Sequence, residues 1–369
     1  MNQYRIDIQS QNLFFLFYSI YCIKTGIFSL KIEADGLDAL KLALNILLLF
    51  FSLLTFITIK KTKIKTFYIM IMVLFILNLV IYNNDYYFGF VFIISLLLLS
   101  TNIPWISLIK LIMAAQFISI VILTPLIFFS DRFFYHDERF GDRFTMGFDN
   151  PNSIAQYLLS ILCIILLKLD SSTTKKTTKI IFSLFTFTVI SSLIYMTQSR
   201  TALTLTFIIL PFFLLSLFIT KKENEYKKTK LFIIAFSITL IIIQFILTIS
   251  YNQHEITLVL NETLSGRIWH SYNIYSAVGL PNLLIGTSVI KYLPLDFYYI
   301  QTIYGLGFLP FLFLYLLAIK RLLKSLLSFF MLMVIFLMVL ETLTETYFSV
   351  PYYSIALFII FHKNQCKQY

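Results

Sequence analysis

Charge is scarce in this chain, and the scarcity excludes most of what 369 residues could otherwise form. Asp, Glu, Lys and Arg make up only 13%, against 59% hydrophobic and 18% aromatic residues, with a mean hydropathy of +0.85. A soluble domain of this size has no use for so much apolar surface, which leaves a polytopic α-helical membrane protein. A transmembrane barrel is excluded as well, because the apolar segments run for about 18–22 residues instead of alternating over about ten. Cysteine is rare. Cys22, Cys163 and Cys366 lie in or beside apolar segments with no paired spacing, so neither a disulfide framework nor a zinc site follows. No carboxylate cluster or cofactor motif stands out, so neither a metal ion nor a cofactor is expected. The net charge of +11 comes without any basic domain: the cations are scattered between spans, as the positive-inside rule predicts, and do not point to nucleic acid. No internal repeat occurs. The N-terminal MNQYRIDIQSQ leads into an apolar run without a small-residue cleavage site, so that run is read as an uncleaved span.

What is present is apolar length. Windows near 12–30, 38–59, 66–82, 87–103, 106–129, 150–168, 180–197, 201–220, 231–250, 300–319, 325–343 and 350–362 predict about twelve transmembrane helices in one polytopic domain spanning 1–369. Pro104 makes the fourth and fifth hardest to separate. Counting cations in alternate loops puts 20 of the 29 on one side, including Lys60, Lys61, Lys168, Lys221, Lys222, Lys320, Lys363 and Lys367. That side is the cytoplasm, and both termini fall on it, in a multi-pass protein of the cell membrane. Fourteen of the eighteen acidic residues, Asp85 among them, fall on the outer side.

Arginine breaks the lysine pattern. Five of the seven arginines, Arg132, Arg139, Arg143, Arg200 and Arg267, are assigned to the outer face, which topology normally leaves poor in cations. Planar, bidentate cations concentrated there point to an anionic substrate, phosphate above all. Two long segments lie on the same side: 131–149, read as an outer loop, and 251–299, a half-apolar stretch expected to form short amphipathic helices, with Trp269 and several tyrosines at headgroup depth.

Four places could carry chemistry. In TQSRTAL, Arg200 follows Ser199 between two spans with almost no loop; it is either an interfacial arginine on lipid headgroups or a phosphate-gripping group facing a cavity. In SGRIWHSYN, Ser265 and Gly266 permit a tight turn that puts Arg267 at a helix start, where backbone donors suit an anion. Arg267 could equally bind a headgroup, and His270 is either a plain interfacial residue or a base. In RFTMGFDNPNS, Asn150 and Asn152 flank Pro151 and could cap a helix or, with Arg143, hold sugar hydroxyls. Asp296 precedes a span as either an N-cap or a general base; Glu341 and Glu345, spaced i,i+4 on one face, are the weaker alternative base.

Taken together, these places resemble the bacterial O-antigen and capsular polysaccharide polymerases of the Wzy type, and more distantly the O-antigen ligases. The matching features are Arg143, Gly147 and Asn150-Pro151-Asn152; Ser199-Arg200; Ser265-Gly266-Arg267 with Trp269; and Asp296-Phe297-Tyr298 followed by Gly305 and Gly307. The resemblance implies an inverting, metal-independent glycosyltransferase with a GT-C-like fold. Such an enzyme moves a growing glycan from undecaprenyl diphosphate onto the next undecaprenyl-diphosphate-linked repeat unit. Arg200 and Arg267 would neutralise the diphosphate leaving group, and a base would deprotonate the acceptor hydroxyl. Arg143, Asn150, Asn152, Ser199, Ser265, Gly266, Trp269 and His270 would line the substrate site. Membrane lipid, a chain-length regulator and a flippase are the further partners it implies. Relatives carry a histidine, or an Asp-Asn or His-Asn pair, where this chain has Asp296-Phe297. The rival readings are an O-antigen ligase and a lipid-linked oligosaccharide flippase.

Overall fold

The computed structural model describes residues 2–33, 35–58, 62–82, 86–130, 132–137, 141–219 and 226–362. Arg139, Cys366, Asp85, Lys60, Lys61, Lys221, Lys222, Lys363 and Lys367 lie outside the described residues. The structure is 76% helix, with fifteen α-helices among the described residues. In chain order they begin with α1 (Asn2–Ile27), α2 (Leu37–Thr58), α3 (Thr62–Tyr82), α4 (Tyr86–Ser100) and α5 (Trp105–Ile127). Then come α6 (Pro151–Asp170), α7 (Lys176–Thr197), α8 (Arg200–Ser216), α9 (Lys227–Ser250), α10 (Glu255–Thr263) and α11 (Arg267–Val278). The last four are α12 (Tyr298–Leu306), α13 (Phe308–Lys324), α14 (Phe329–Glu341) and α15 (Ala356–Phe361). Among the described residues five are long and apolar enough to cross a membrane, namely α2, α5, α6, α7 and α9.

The apolar windows become helices, and proline and glycine set where they stop. Pro104, with φ −57°, stands directly before α5 and separates it from α4. Pro151 opens α6, where its missing N–H costs nothing. Between α7 and α8 the chain reverses at Gln198 in the left-handed region, φ +54°. Aromatic side chains such as Phe14, Phe17, Tyr18, Phe92, Phe330 and Phe358 fill the centre of the bundle and are essentially inaccessible. Large apolar side chains also cover the outside, Ile57, Val80, Phe117 and Phe185 among them. In water such a surface would cost about 25 cal/mol per Å²; against hydrocarbon it costs nothing.

The 131–149 segment holds the only named strands among the described residues of an otherwise helical fold. It carries an antiparallel hairpin, β1 (Phe134–Asp137) with β2 (Gly141–Phe144), in which Tyr135 faces Arg143 and His136 faces Asp142. Alternation over only four residues per strand is too short a signal to read beside long apolar runs. The hairpin is tied to the turn after α1, because Lys31 N donates to Gly147 O (2.9 Å) and Asp149 N to Ser29 O (2.8 Å).

The 300–319 window is not one helix. It breaks at Gly307 (φ +91°) into α12 and α13. The segment 282–287 fills the break: Phe308 N donates to Asn282 O (2.9 Å), Leu309 N to Leu283 O (2.8 Å) and Thr287 N to Tyr304 O (2.7 Å). Backbone meets backbone there. A Cβ on Gly286 would stand 1.8 Å from Gly305 O, and one on Gly307 would stand 2.9 Å from Leu284 C. The last window, 350–362, is helical only over α15.

Lysine and arginine separate along the bundle. α6 runs from Asn150 and Asn152 at one end to Asp170 at the other, where Ser328 Oγ donates to the Asp170 carboxylate (2.9 Å) and Lys179 Nζ to its carbonyl (3.3 Å). Lys230 Nζ donates to Ser325 O at this same lysine-rich end. Arg143, Arg200 and Arg267 gather at the opposite, polar end.

Candidate functional site

Three helix starts meet at the polar end. Arg267 is the first residue of α11, delivered by Ser265 (φ +56°) and Gly266 (φ +86°). Nothing crowds Gly266, since a Cβ there meets no atom closer than 3.8 Å; glycine is needed for its φ alone. Its N–H caps α10 by donating to Asn261 O (2.8 Å). Ser265 and Gly266 are therefore turn-formers that aim Arg267.

The Arg267 guanidinium is held from several directions. Nε donates to Thr344 O (2.8 Å), Nη1 to Leu264 O (3.1 Å) and Nη2 to Glu345 Oε1 (3.2 Å). Asp296 Oδ2 lies 3.6 Å from Nε. Five N–H groups are available on a guanidinium, so this arginine is oriented by protein acceptors and keeps donors over.

Arg143 mirrors it from the hairpin. It is only 8% exposed, and its Nε donates to Thr197 O (2.9 Å), Nη1 to Asp137 Oδ2 (3.4 Å) and Nη2 to Asn152 Oδ1 (3.0 Å). Asn152 Nδ2 in turn donates to Glu345 Oε1 (3.3 Å). A continuous chain Arg143–Asn152–Glu345–Arg267 results, with Glu345 Oε1 accepting from both sides. The two asparagines divide the roles that the sequence leaves open. Asn150 caps α6, its Oδ1 accepting from Asn152 N (2.8 Å), whereas the Asn152 side chain belongs to the polar chain.

Arg200 is the first residue of α8, and its side chain is exposed. Its neighbours tie it to the cluster. Thr201 Oγ1 meets Thr344 Oγ1 (3.2 Å), and Thr197, three residues earlier, supplies the carbonyl that holds Arg143. Ser199 is buried, with its N–H on Thr197 Oγ1 (3.2 Å), and makes no side-chain cap. His270 and Trp269 sit one turn into α11 with rings 4.9 Å apart; Trp269 is exposed.

Asp296 does not cap α12. Phe297 occupies that position, with no side-chain cap bond. Nor do Glu341 and Glu345 share a helical face, because α14 ends at Glu341. Glu341 turns into the bundle and is 1% exposed. Glu345 turns to the arginines.

Burial sets the electrostatics. It pushes the Glu345 carboxyl up to about 8; Arg267 opposes the rise and Asp296 adds to it. Burial likewise raises Asp296, against the pull of Arg267 and His270. His270 is lowered, by burial first and by Arg267 after it, with Asp296 opposing. Glu345 is thus mostly protonated near neutrality. Arg143 pairs with Asp137 (3.4 Å) and Arg267 with Asp296 (3.6 Å), and Arg200 stands at the neighbouring helix start, so three guanidinium groups gather at this end. Such a cluster can hold an anion beside a half-exposed carboxylate.

The central place of Glu345, the pairing of Asp137 with Arg143, and the anchoring carbonyls of Thr197 and Thr344 all escape sequence reading. The one available signal was a glutamate pair at the end of a very apolar helix. Comparison of the chain with known protein families, with curated proteins and with solved structures finds no match.

Proposed function

We propose that the protein is a membrane-embedded polysaccharide polymerase. It joins undecaprenyl-diphosphate-linked repeat units at the outer face of the cytoplasmic membrane, in a GT-C-like bundle of about twelve spans with both termini cytoplasmic. The observation that carries this reading is the gathering of Arg143 and Arg267 about a carboxyl pushed up to about 8, with Arg200 at the neighbouring helix start. A protonated Glu345 adds no negative charge beside those cations, so their charge acts on a diphosphate.

Arg200, exposed on its helix start, grips the diphosphate. Arg267, fixed by Thr344 and Leu264, presents its remaining donors to the same group and orients Asp296. Asp296 takes the proton from the acceptor sugar hydroxyl as that oxygen bonds to the anomeric carbon. The bond from that carbon to the diphosphate oxygen breaks, and its electron pair leaves with the lipid diphosphate, where the arginines stabilise the charge. Asn152 and Arg143 hold the geometry of Glu345 and line the sugar side.

Two measurements test the reading together. Arg200→Ala is expected to abolish long chains on a gel-resolved glycan ladder at normal protein abundance, and reporter fusions at 200 and 267 are expected to report an extracytoplasmic position. Normal ladders, or cytosolic reporters, would overturn it.

A further inference from the structure

The bundle contains a cavity of about 340 Å³ that the polar cluster does not use. Its size falls in the range of ligand sites, about 300–1,000 Å³. α12 walls it off from the cluster. Tyr298, Tyr299 and Thr302 face the cavity, while Ile300 and Tyr304, on the other side of the helix, pack with Ile268 and Ile274 of α11. A ligand whose head sits at Arg267 therefore has a helix between it and this space.

The walls call for hydrocarbon. The few polar groups present satisfy one another: Ser237 Oγ meets Tyr299 Oη (3.2 Å) and Tyr315 Oη (2.5 Å), so no polar ligand is needed there. An empty space of this kind forfeits dispersion contacts along its whole lining. Phe67 on α3 and Phe313 on α13 both line it, with ring centroids 5.3 Å apart, and Phe313 is also 46% exposed to the surroundings. The cavity is thus reached from the side of the bundle, where lipid chains lie.

Charge marks the end at which the headgroup belongs. The cavity's one charged lining residue, among those described, is Arg321, in the last turn of α13 together with Lys324 and at the lysine-rich end. Its guanidinium has no protein partner among the described residues. We propose that this cavity is a lipid site for an anionic phospholipid of the lysine-side leaflet, with the phosphate on Arg321 and one acyl chain inserted past Phe67 and Phe313. The lipid braces α13 against α3 and α9 and takes no part in glycan transfer.

The test uses the full-length protein, purified in mild detergent, stripped of lipid and re-exposed to mixed micelles of phosphatidylglycerol and phosphatidylethanolamine. Native mass spectrometry then reads what stays bound. One tightly held phosphatidylglycerol is expected. Arg321→Gln should reduce its retention about fivefold, the effect of one cation on an anionic headgroup. Ala318→Trp, which fills the cavity and leaves Arg321 in place, should abolish it. Equal retention of both lipids, retention unaffected by Ala318→Trp, or polyprenyl phosphate held in place of phospholipid in the unstripped protein would overturn the proposal. Should Ala318→Trp not fold, the headgroup preference and Arg321→Gln still decide. Polymer formation is not the readout, so this proposal and the polymerase reading can fail separately.

Discussion

Arg267 Nη2 lies 3.2 Å from Glu345 Oε1, and the bond joins the start of an amphipathic helix to the turn after α14, 78 positions further along the chain. Glu345 Oε1 accepts a second bond from Asn152, 193 positions away. One carboxyl oxygen thus ties together α6, α11 and the segment leading to α15, and links Arg267 to Arg143 through Asn152.

Arginine 267 and arginine 200 are expected to fail differently. Arg200→Ala removes an exposed side chain and should leave abundance and thermal stability unchanged while polymer is lost. Arg267→Ala leaves Thr344 O, Leu264 O and Glu345 Oε1 without their donor and should also destabilise the protein, by about 1–3 kcal/mol for each acceptor that stays buried. Lysine at 267 is a point charge with no planar fork and should not rescue the polymer. Glycan ladders beside melting curves of the purified variants separate the two cases.

Activity should fall as pH rises through about 8. Deprotonating Glu345 places a negative charge against Arg267 and reduces the pull on an anionic donor. Stability carries the same sign. A carboxyl raised from its ordinary value of 4.5 to about 8 binds its proton in the folded state and releases it in the unfolded one across that window, so folding weakens as pH rises from 4.5 towards 8. Glu345→Gln should flatten both profiles; an unchanged stability profile in that variant would remove Glu345 as the cause.

The glycine contacts at the α12–α13 break should tolerate no side chain. Gly307→Ala combines a left-handed backbone, costing about 1–3 kcal/mol, with overpacking against backbone of similar cost. Gly286→Ala meets the Gly305 carbonyl, which cannot move aside without disturbing α12. Loss of folded protein in both variants, read by fluorescence-detected size exclusion, is the expected outcome.

The asparagines should separate as cap and connector. Asn150→Ala loses a helix cap worth about 1 kcal/mol and should still make polymer. Asn152→Ala cuts the Arg143–Glu345 connection and should shorten or abolish chains at comparable stability. Equal ladders from the two variants would deny Asn152 its special role.

A good deal of this was legible before folding. Arg143, Asn152, Arg200, Arg267 and Asp296 were picked out as chemistry-bearing, and they converge on one end of the bundle. The hairpin was not legible, because four-residue strands leave no periodic trace beside apolar runs of twenty. The split at Gly307 was hidden as well: α12 and α13 are both apolar, and only the insertion of 282–287 between them gives the glycines their purpose. Glu341 and Glu345 look alike in the sequence, yet one turns into the core and the other lies between Arg267 and Asn152, because α14 ends at Glu341.

Composition and the spacing of apolar runs by themselves determined a helical, membrane-compatible chain whose cations lie mostly between apolar segments. That follows from local physics, since each segment's affinity for hydrocarbon and each cation's cost of burial act without reference to distant residues. Tertiary structure alone decided which carboxyl sits among the guanidinium groups and how strongly it holds its proton. Desolvation and charge proximity depend on what the folded chain brings within a few ångströms, and residues 152, 267 and 345 meet only when the bundle has closed.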